Sequence, residues 1–541
     1  MSGSPTEPSG SGVLFTGGRI HTLDPRRPRA EALAAAGGRV VAVGSSDELR
    51  AAFPRFRRVD LEGLVVVPGF TDAHIHLPAY GISLRRIELR AARSLREAVE
   101  LVRQAAARAR PGEWIRGQGW DKNRWPEDRF PHRADLDAAA PGHPVVLASK
   151  DGHLLWVNSA ALRAAGLDRR TPDPPGGEIA RDDRGEPTGI LKETAKELIW
   201  RAAPEEGPEA LETAILESQA RLHALGLTAV HHFTGTAGYD GPPTFAAFQR
   251  LRARDQLRLR VWMTVPERAL DHVMAIGLRT GFGDEWLRVG PVKIFADGTL
   301  GSQTAAMLEP FAGQPGNTGI AIHSREELTD LVGRAVRAGF WCAIHAIGDR
   351  ANRWVLDACE AHREATKALG ARHRIEHVQL LHPDDLPRLA RLGVTASMQP
   401  IHATSDRDIA DRYWGARSRT AYAWRALLEE GTVLAFGSDA PVESPDVFQG
   451  LYAAVTRRRP DEPQRPAWHP EQALGVEEAV RAYTVGAAYA AGAEAVQGRL
   501  AEGFYADFVA MDTDIFAAPA EALLAARVTL TVVGGEIVWG A

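Results

Sequence analysis

Cysteine is almost missing from this chain. Two in 541 residues, Cys342 and Cys359, exclude a disulfide framework and suit a reducing compartment, so a cytoplasmic location is expected. Lysine is scarce as well. Only six occur, Lys122, Lys150, Lys192, Lys196, Lys293 and Lys367, among 64 lysine plus arginine, so arginine is the default cation. No apolar run is long enough to span a bilayer. The opening Met1 to Gly12 has neither the positive start nor the apolar stretch of a secretory signal and reads as a flexible tail. An excess of positive charge is also lacking: a net charge of -5 offers no global basic field, so neither nucleic acid nor membrane is an expected partner. What remains is an ordinary globular composition, 45% hydrophobic and 25% charged, on a chain long enough for several domains.

The most informative stretch is Leu64 to Leu77, LVVVPGFTDAHIHL. Its β-branched and apolar start reads as a buried strand, and its polar residues gather at the C-terminal end. Side chains alternate along a strand, so His74 and His76 face the same way with Cα atoms about 6.5 Å apart, close enough to share one metal ion. From about Gly207 onward, one junction recurs. Helical segments end at Gly226, Gly339, Gly393 and Gly431, each followed by an apolar strand. Glycine there supplies the left-handed residue that closes a helix. Counting these strands with the segments around Val261, Lys293 and Ile375 and the opening strand gives eight, the number of a (β/α)8 barrel whose active site lies at the C-terminal strand ends.

Residues 68–78 and 209–495 are therefore expected to form the barrel. Both ends of the chain carry short alternating segments with paired glycines, and residues 13–67 and 496–541 are expected to join in one composite β-sandwich. Residues 79–208 interrupt the rhythm after the first strand and are too long for a loop. They read as an inserted domain, expected to cap the barrel mouth, with Ser159 capping a short helix.

The polar residues at or near the strand ends are His74, His76, Lys293, His345, His377 and Asp439. All are metal-ligand types, and each follows an apolar run. His231 and His232 are adjacent on the second strand, so only one can face the interior, and hydrogen bonding to a ligand is the expected role. Asp297 and Glu376 each neighbour a ligand and are as readily salt-bridge partners. Asp349 and Arg350 read as exposed loop residues.

These motifs together resemble the amidohydrolase superfamily, in its family 3 branch that includes N-substituted formamide deformylases. The similarity rests on Pro68 to His76, Gly117 to Asp121, Asp151 to His153, Val292 to Gly298, Ile344 to Asp349, Ile375 to His377 and Gly437 to Val442. The resemblance implies a two-metal, zinc-type site. His74, His76 and Asp439 would hold one ion and His345 and His377 the second. Lys293, carboxylated by carbon dioxide, would bridge them. It further implies that Asp439 is the catalytic general base and acid, and that a small amide is the substrate. Trp120, Asp121 and His153 are candidates to close over that substrate, although a tryptophan in such a domain is more often core. Homodimerisation is an expectation of the family. Two other functions stay in view: a single-metal aminohydrolase deaminating a heterocycle, which would leave Lys293 without a role, and a non-catalytic scaffold.

Overall fold

The computed structural model describes residues 12–540 except 123, 124, 128, 151, 153, 175, 176, 205, 206 and 236–240. It divides into two compact units: the chain up to Leu77 together with Ile215 onward, and Pro78–Ala214.

The larger unit is built on an eight-stranded parallel sheet. Its strands are β1 (Phe70–Ile75), β2 (Leu227–His232), β3 (Arg260–Pro266), β4 (Leu287–Phe295), β5 (Cys342–Ala346), β6 (Arg374–His377), β7 (Thr395–Met398) and β8 (Leu434–Phe436). Spatial order follows chain order. Just beyond β8 the sheet meets its own start: Asp439 N donates to His74 O at 2.7 Å and His76 N to Ala440 O at 2.9 Å. Glycine makes this closure possible, because a Cβ at Gly437 would stand 2.4 Å from His74 N and 2.7 Å from Asp72 Oδ1. Gly226, Gly339, Gly393 and Gly431 all have positive φ, as helix closure before the next strand requires.

The strand Val65–Pro68 leads into β1 and also belongs to a second sheet. That sheet pairs it with Arg19–His21 on one side and Phe508–Met511 on the other, so both ends of the chain share one set of ladders. A four-stranded sheet from residues 13–60 packs on it through Phe15, Leu33, Val66, Phe508 and Val532. The Phe15 and Phe508 rings meet edge to face at 4.8 Å. A buried ion pair, Arg260 Nε to Asp507 Oδ2 at 2.6 Å and Nη2 to Oδ1 at 2.9 Å, ties the start of β3 to this composite domain.

The smaller unit, inserted after β1, carries a six-stranded mixed sheet with helices including Leu95–Ala106 and Ser159–Ala164. Asn158, not Ser159, caps the second helix, its side chain accepting from Ala161 N at 3.0 Å. Trp120, Trp125 and Trp156 lie in the core of this unit. Among the described residues no helix is long and apolar enough to cross a membrane.

Candidate metal centre

β1, β5 and β6 deliver four imidazoles in a chain, with ring centroids 5.6 Å apart for His74 and His76, 5.0 Å for His74 and His377, and 4.6 Å for His377 and His345. Strand alternation alone would not place Glu376 and His377 on the same side. His377 has φ +77 and Val378 φ +44, so β6 ends in left-handed backbone and turns the His377 ring back toward His74. Asp439 has φ +60 and does the same after β8. Such conformations are costly for non-glycine residues and cluster at functional sites.

Partners at Nδ1 fix the tautomers of three histidines. His74 Nδ1 donates to Glu376 Oε2 at 2.7 Å, His76 Nδ1 to Phe233 O at 2.9 Å, and His377 Nδ1 to Gln399 Oε1 at 2.9 Å. Each Nε2 then carries the lone pair, the form that ligates metal. His345 is oriented the other way, its Nε2 donating to Gly298 O at 3.0 Å. Burial pushes His74 down to about 4 and His345 to about 3, and holds His377 well below its ordinary value. Neutral imidazoles are therefore the resting state.

Asp439 stands among them. Its Oδ1 lies 3.1 Å from His76 Nε2 and 3.6 Å from His74 Nε2, and its Oδ2 lies 3.3 Å from His402 Nε2. Burial alone would raise this carboxyl, but His402 and the histidine pair outweigh it and keep the carboxyl well below the usual range. Ligand atoms of His74, His377 and Asp439 all lie within 4.8 Å of one another, a group able to hold an ion. This group crosses the expected division, which set His377 apart with His345.

Lys293, near the end of β4, is 2% exposed. Its Nζ stands 4.5 Å from the Phe295 ring centroid and 5.1 Å from that of Phe233, and no carboxylate among the described residues lies within ion-pair distance. Burial lowers its pKa to about 8, against the pull of Glu376 and Asp439. Lys293 forms no salt bridge with Asp297. Asp297 accepts instead from Ala306, Ile347 and Gly348 N at 2.8, 3.0 and 2.9 Å.

Behind the histidines lies a buried charge network. Arg374 donates to Glu376 from Nε at 2.6 Å and Nη2 at 3.1 Å, to Ala73 O at 2.6 Å and to His231 Nδ1 at 2.7 Å. His231 is thus the inward member of its pair. His232 instead packs its ring on Phe248 and accepts from Leu77 N at 3.2 Å.

Several expectations change. Trp120 is a core side chain, 1% exposed, with Nε1 donating to Leu147 O at 2.9 Å and its ring against Trp125 and Trp156, so it offers no surface to a substrate. Asp121 is half-buried just after the same strand, and His153 lies outside the described residues. Asp349 is not an exposed loop residue: it opens the helix Asp349–Ala361, is buried, and accepts from Leu308 N at 2.8 Å. Arg374, Gln399 and His402 were not anticipated. Their signals were faint: an arginine two positions before Glu376, and a Gln-Pro-x-His run after β7.

Comparison with known proteins points to one family. The model of a family described as the amidohydrolase family matches residues 57–539, and that of an imidazolonepropionase-like bacterial composite domain matches residues 32–55. YtcJ of Bacillus subtilis (strain 168), which carries the name amidohydrolase, is 33% identical over 530 residues, covering 97% of this chain and 99% of its own. An N-substituted formamide deformylase of Arthrobacter pascens is 29% identical over 523 residues, covering 93% of each. The crystal structure of an uncharacterized metal-dependent hydrolase from Pyrococcus horikoshii OT3 superposes with a TM-score of 0.78 at 29% identity, covering 94% of this chain and 99% of that one.

Proposed function

Because this chain belongs to the amidohydrolase family over residues 57–539, we propose that it is a metal-dependent hydrolase cleaving a carbon–nitrogen bond of a small amide, with N-substituted formamides the first class to test. One observation carries the reading: atoms that only accept converge. With Nδ1 of His74 and His76 donating outward, their Nε2 lone pairs face Asp439 Oδ1 at 3.6 and 3.1 Å. Such a cluster calls for a cation, and nitrogen with carboxylate oxygen is a donor set suited to zinc.

His74, His76 and Asp439 would hold one ion and His345 and His377 a second. Lys293 would bridge them as a carbamate, formed when the neutral amine bonds to carbon dioxide and releases a proton. Its depressed pKa makes that neutral amine available. The chemistry gained from divalent ions there is polarisation of a carbonyl and acidification of water. The chain's own residues do the rest. Asp439 accepts the proton of the attacking water and passes it to the leaving amine, while Glu376 holds the His74 tautomer. The deformylase named above acts on N-substituted formamides, which supports that class here.

A second reading, a single-metal aminohydrolase, draws on the three-ligand group of His74, His377 and Asp439. It needs a free carboxylate shortly after β5, whereas Asp349 there is committed to Leu308 and Arg350 N. Elemental analysis with a hydrolysis panel of N-substituted formamides, acylated amino acids and cyclic amides separates the two. Close to two ions per chain with amide cleavage is expected. One ion with release of ammonia from a heterocycle favours the second, and metal-loaded protein inert toward both panels rejects both.

A further inference from the structure

His402 has no part in the chemistry above, yet it occupies the site. It lies in the first turn of the helix Pro400–Ser405, directly after β7, and is 7% exposed. Pro400 at the start of that helix fixes its entry. Asp406 N closes the turn onto His402 O at 2.8 Å, and the preceding Gln399 is held by His377. The helix that carries His402 is thus joined through Gln399 to a proposed ligand, and the His402 ring stands 6.2 Å from that ligand's ring.

Its Nε2 is buried and makes no aligned hydrogen bond. Asp439 Oδ2, 3.3 Å away, lies off the N–H direction. Other buried polar atoms among the described residues also lack an aligned partner, but this one faces the proposed general base, where a substrate oxygen would offset the cost of leaving it unmatched. The two oxygens of Asp439 divide the site. Oδ1 faces His74 and His76, and Oδ2 faces His402. Water that gives its proton to Asp439 lies within a hydrogen bond of that carboxylate, with the carbon it attacks about 3–3.5 Å further on. The His402 N–H is therefore within reach of an oxygen on that carbon.

We infer that His402 is a further catalytic residue, its Nε2–H donating to the carbonyl oxygen of the substrate as that oxygen gains negative charge, and to the carboxylate of the product. The inference rests on the amide reading. The water oxygen bonds to the carbonyl carbon, its proton goes to Asp439, and the carbonyl π pair moves onto the oxygen facing His402. On collapse the C–N pair leaves with nitrogen, which takes the proton from Asp439. The acid product loses its remaining proton to solvent.

The test compares metal-loaded wild type with His402→Ala, His402→Phe, which keeps ring volume without a donor, and His402→Gln, which keeps a donor. Acetate is the probe, titrated calorimetrically, with metal content measured in parallel. Expected are unchanged metal content, acetate binding weakened about 10- to 100-fold in the Ala and Phe variants, as for loss of a charge-assisted hydrogen bond, and most of that binding restored in the Gln variant. On an amide the wild type cleaves, kcat should fall about 10²- to 10³-fold in the Phe variant with a smaller change in KM. Should His402→Ala fail to fold, the Phe and Gln pair makes the same comparison. Wild type that binds acetate no better than His402→Phe overturns the inference, as does parallel loss of metal, which would make His402 a positioning residue. Wild type that binds acetate through His402 but hydrolyses no amide overturns the amide reading and leaves this site standing.

Discussion

Replacing Glu376 by glutamine separates what the buried charges do for the fold from what they do for the metal. Arg374 and Glu376 are both fully buried. The carboxylate takes two bonds from the guanidinium, at 2.6 and 3.1 Å, and one from His74 Nδ1, at 2.7 Å. Among the described residues it is the only carboxylate paired with Arg374. Glutamine keeps the shape and one acceptor but cancels the charge, leaving a guanidinium uncompensated in the interior, which costs about 3–5 kcal/mol. The same change loosens the His74 tautomer, and loss of such an outer partner weakens metal affinity about 10- to 100-fold. Urea denaturation of metal-stripped protein, followed by tryptophan fluorescence, reads the first effect, and competition with a chelator reads the second. Arg374→Met combined with Glu376→Leu should recover part of the metal-free stability, because a matched apolar pair replaces the ion pair, yet stay deficient in metal. A metal-free Glu376→Gln protein within about 1 kcal/mol of wild type, with wild-type metal affinity, would refute the whole account.

Three further outcomes follow from the site and its surroundings. Asp439→Asn should keep the fold and at least one ion while losing about 10²- to 10⁴-fold in hydrolysis, as removal of a proton acceptor requires; near-normal turnover would take Asp439 out of the chemistry. Lys293→Ala should lose a bridging ion and activity together, a small carboxylic acid should restore some of both, and Lys293→Arg should be no better than Ala. An Arg variant with wild-type metal content would show that only charge was needed. His223, held down to about 4 by burial, should make stability fall with acid. Its folded pKa is below its unfolded one, so the unfolded chain binds the extra proton between about pH 6.5 and 4, and stability drops by roughly 1.4 kcal/mol per pH unit in that window. His223→Gln should flatten the urea-midpoint profile by that slope, and an unchanged profile would contradict it.

The barrel was legible because its signals are local and repeated. Gly226, Gly339, Gly393 and Gly431 each close a helix in left-handed backbone before an apolar strand, and the residues that could hold metal follow those strands directly. What escaped depends on departures from strand geometry. Alternation separates Glu376 from His377, and only the +77 φ at His377 brings both toward His74. No pattern in the residues announces that turn. Trp120 escaped for the opposite reason: a polar-looking Gly-Gln-Gly-Trp-Asp segment suggests a site, while three tryptophans packed together make it core.

His402 escaped because its side chain reaches the site from the helix that follows β7 and not from a strand end. The resulting asymmetry shapes the chemistry. Three histidines are fixed by outward Nδ1–H bonds and present lone pairs to the centre, whereas His402 presents an N–H from the other side of Asp439. Groups that accept and a group that donates therefore flank one carboxylate. A site made only of lone pairs could gather cations but would have no donor to meet charge developing on a substrate oxygen. Placing the donor on a helix that opens with Pro400, independent of strand alternation, is how the fold can set opposite hydrogen-bonding faces 3.1 and 3.3 Å from the same side chain.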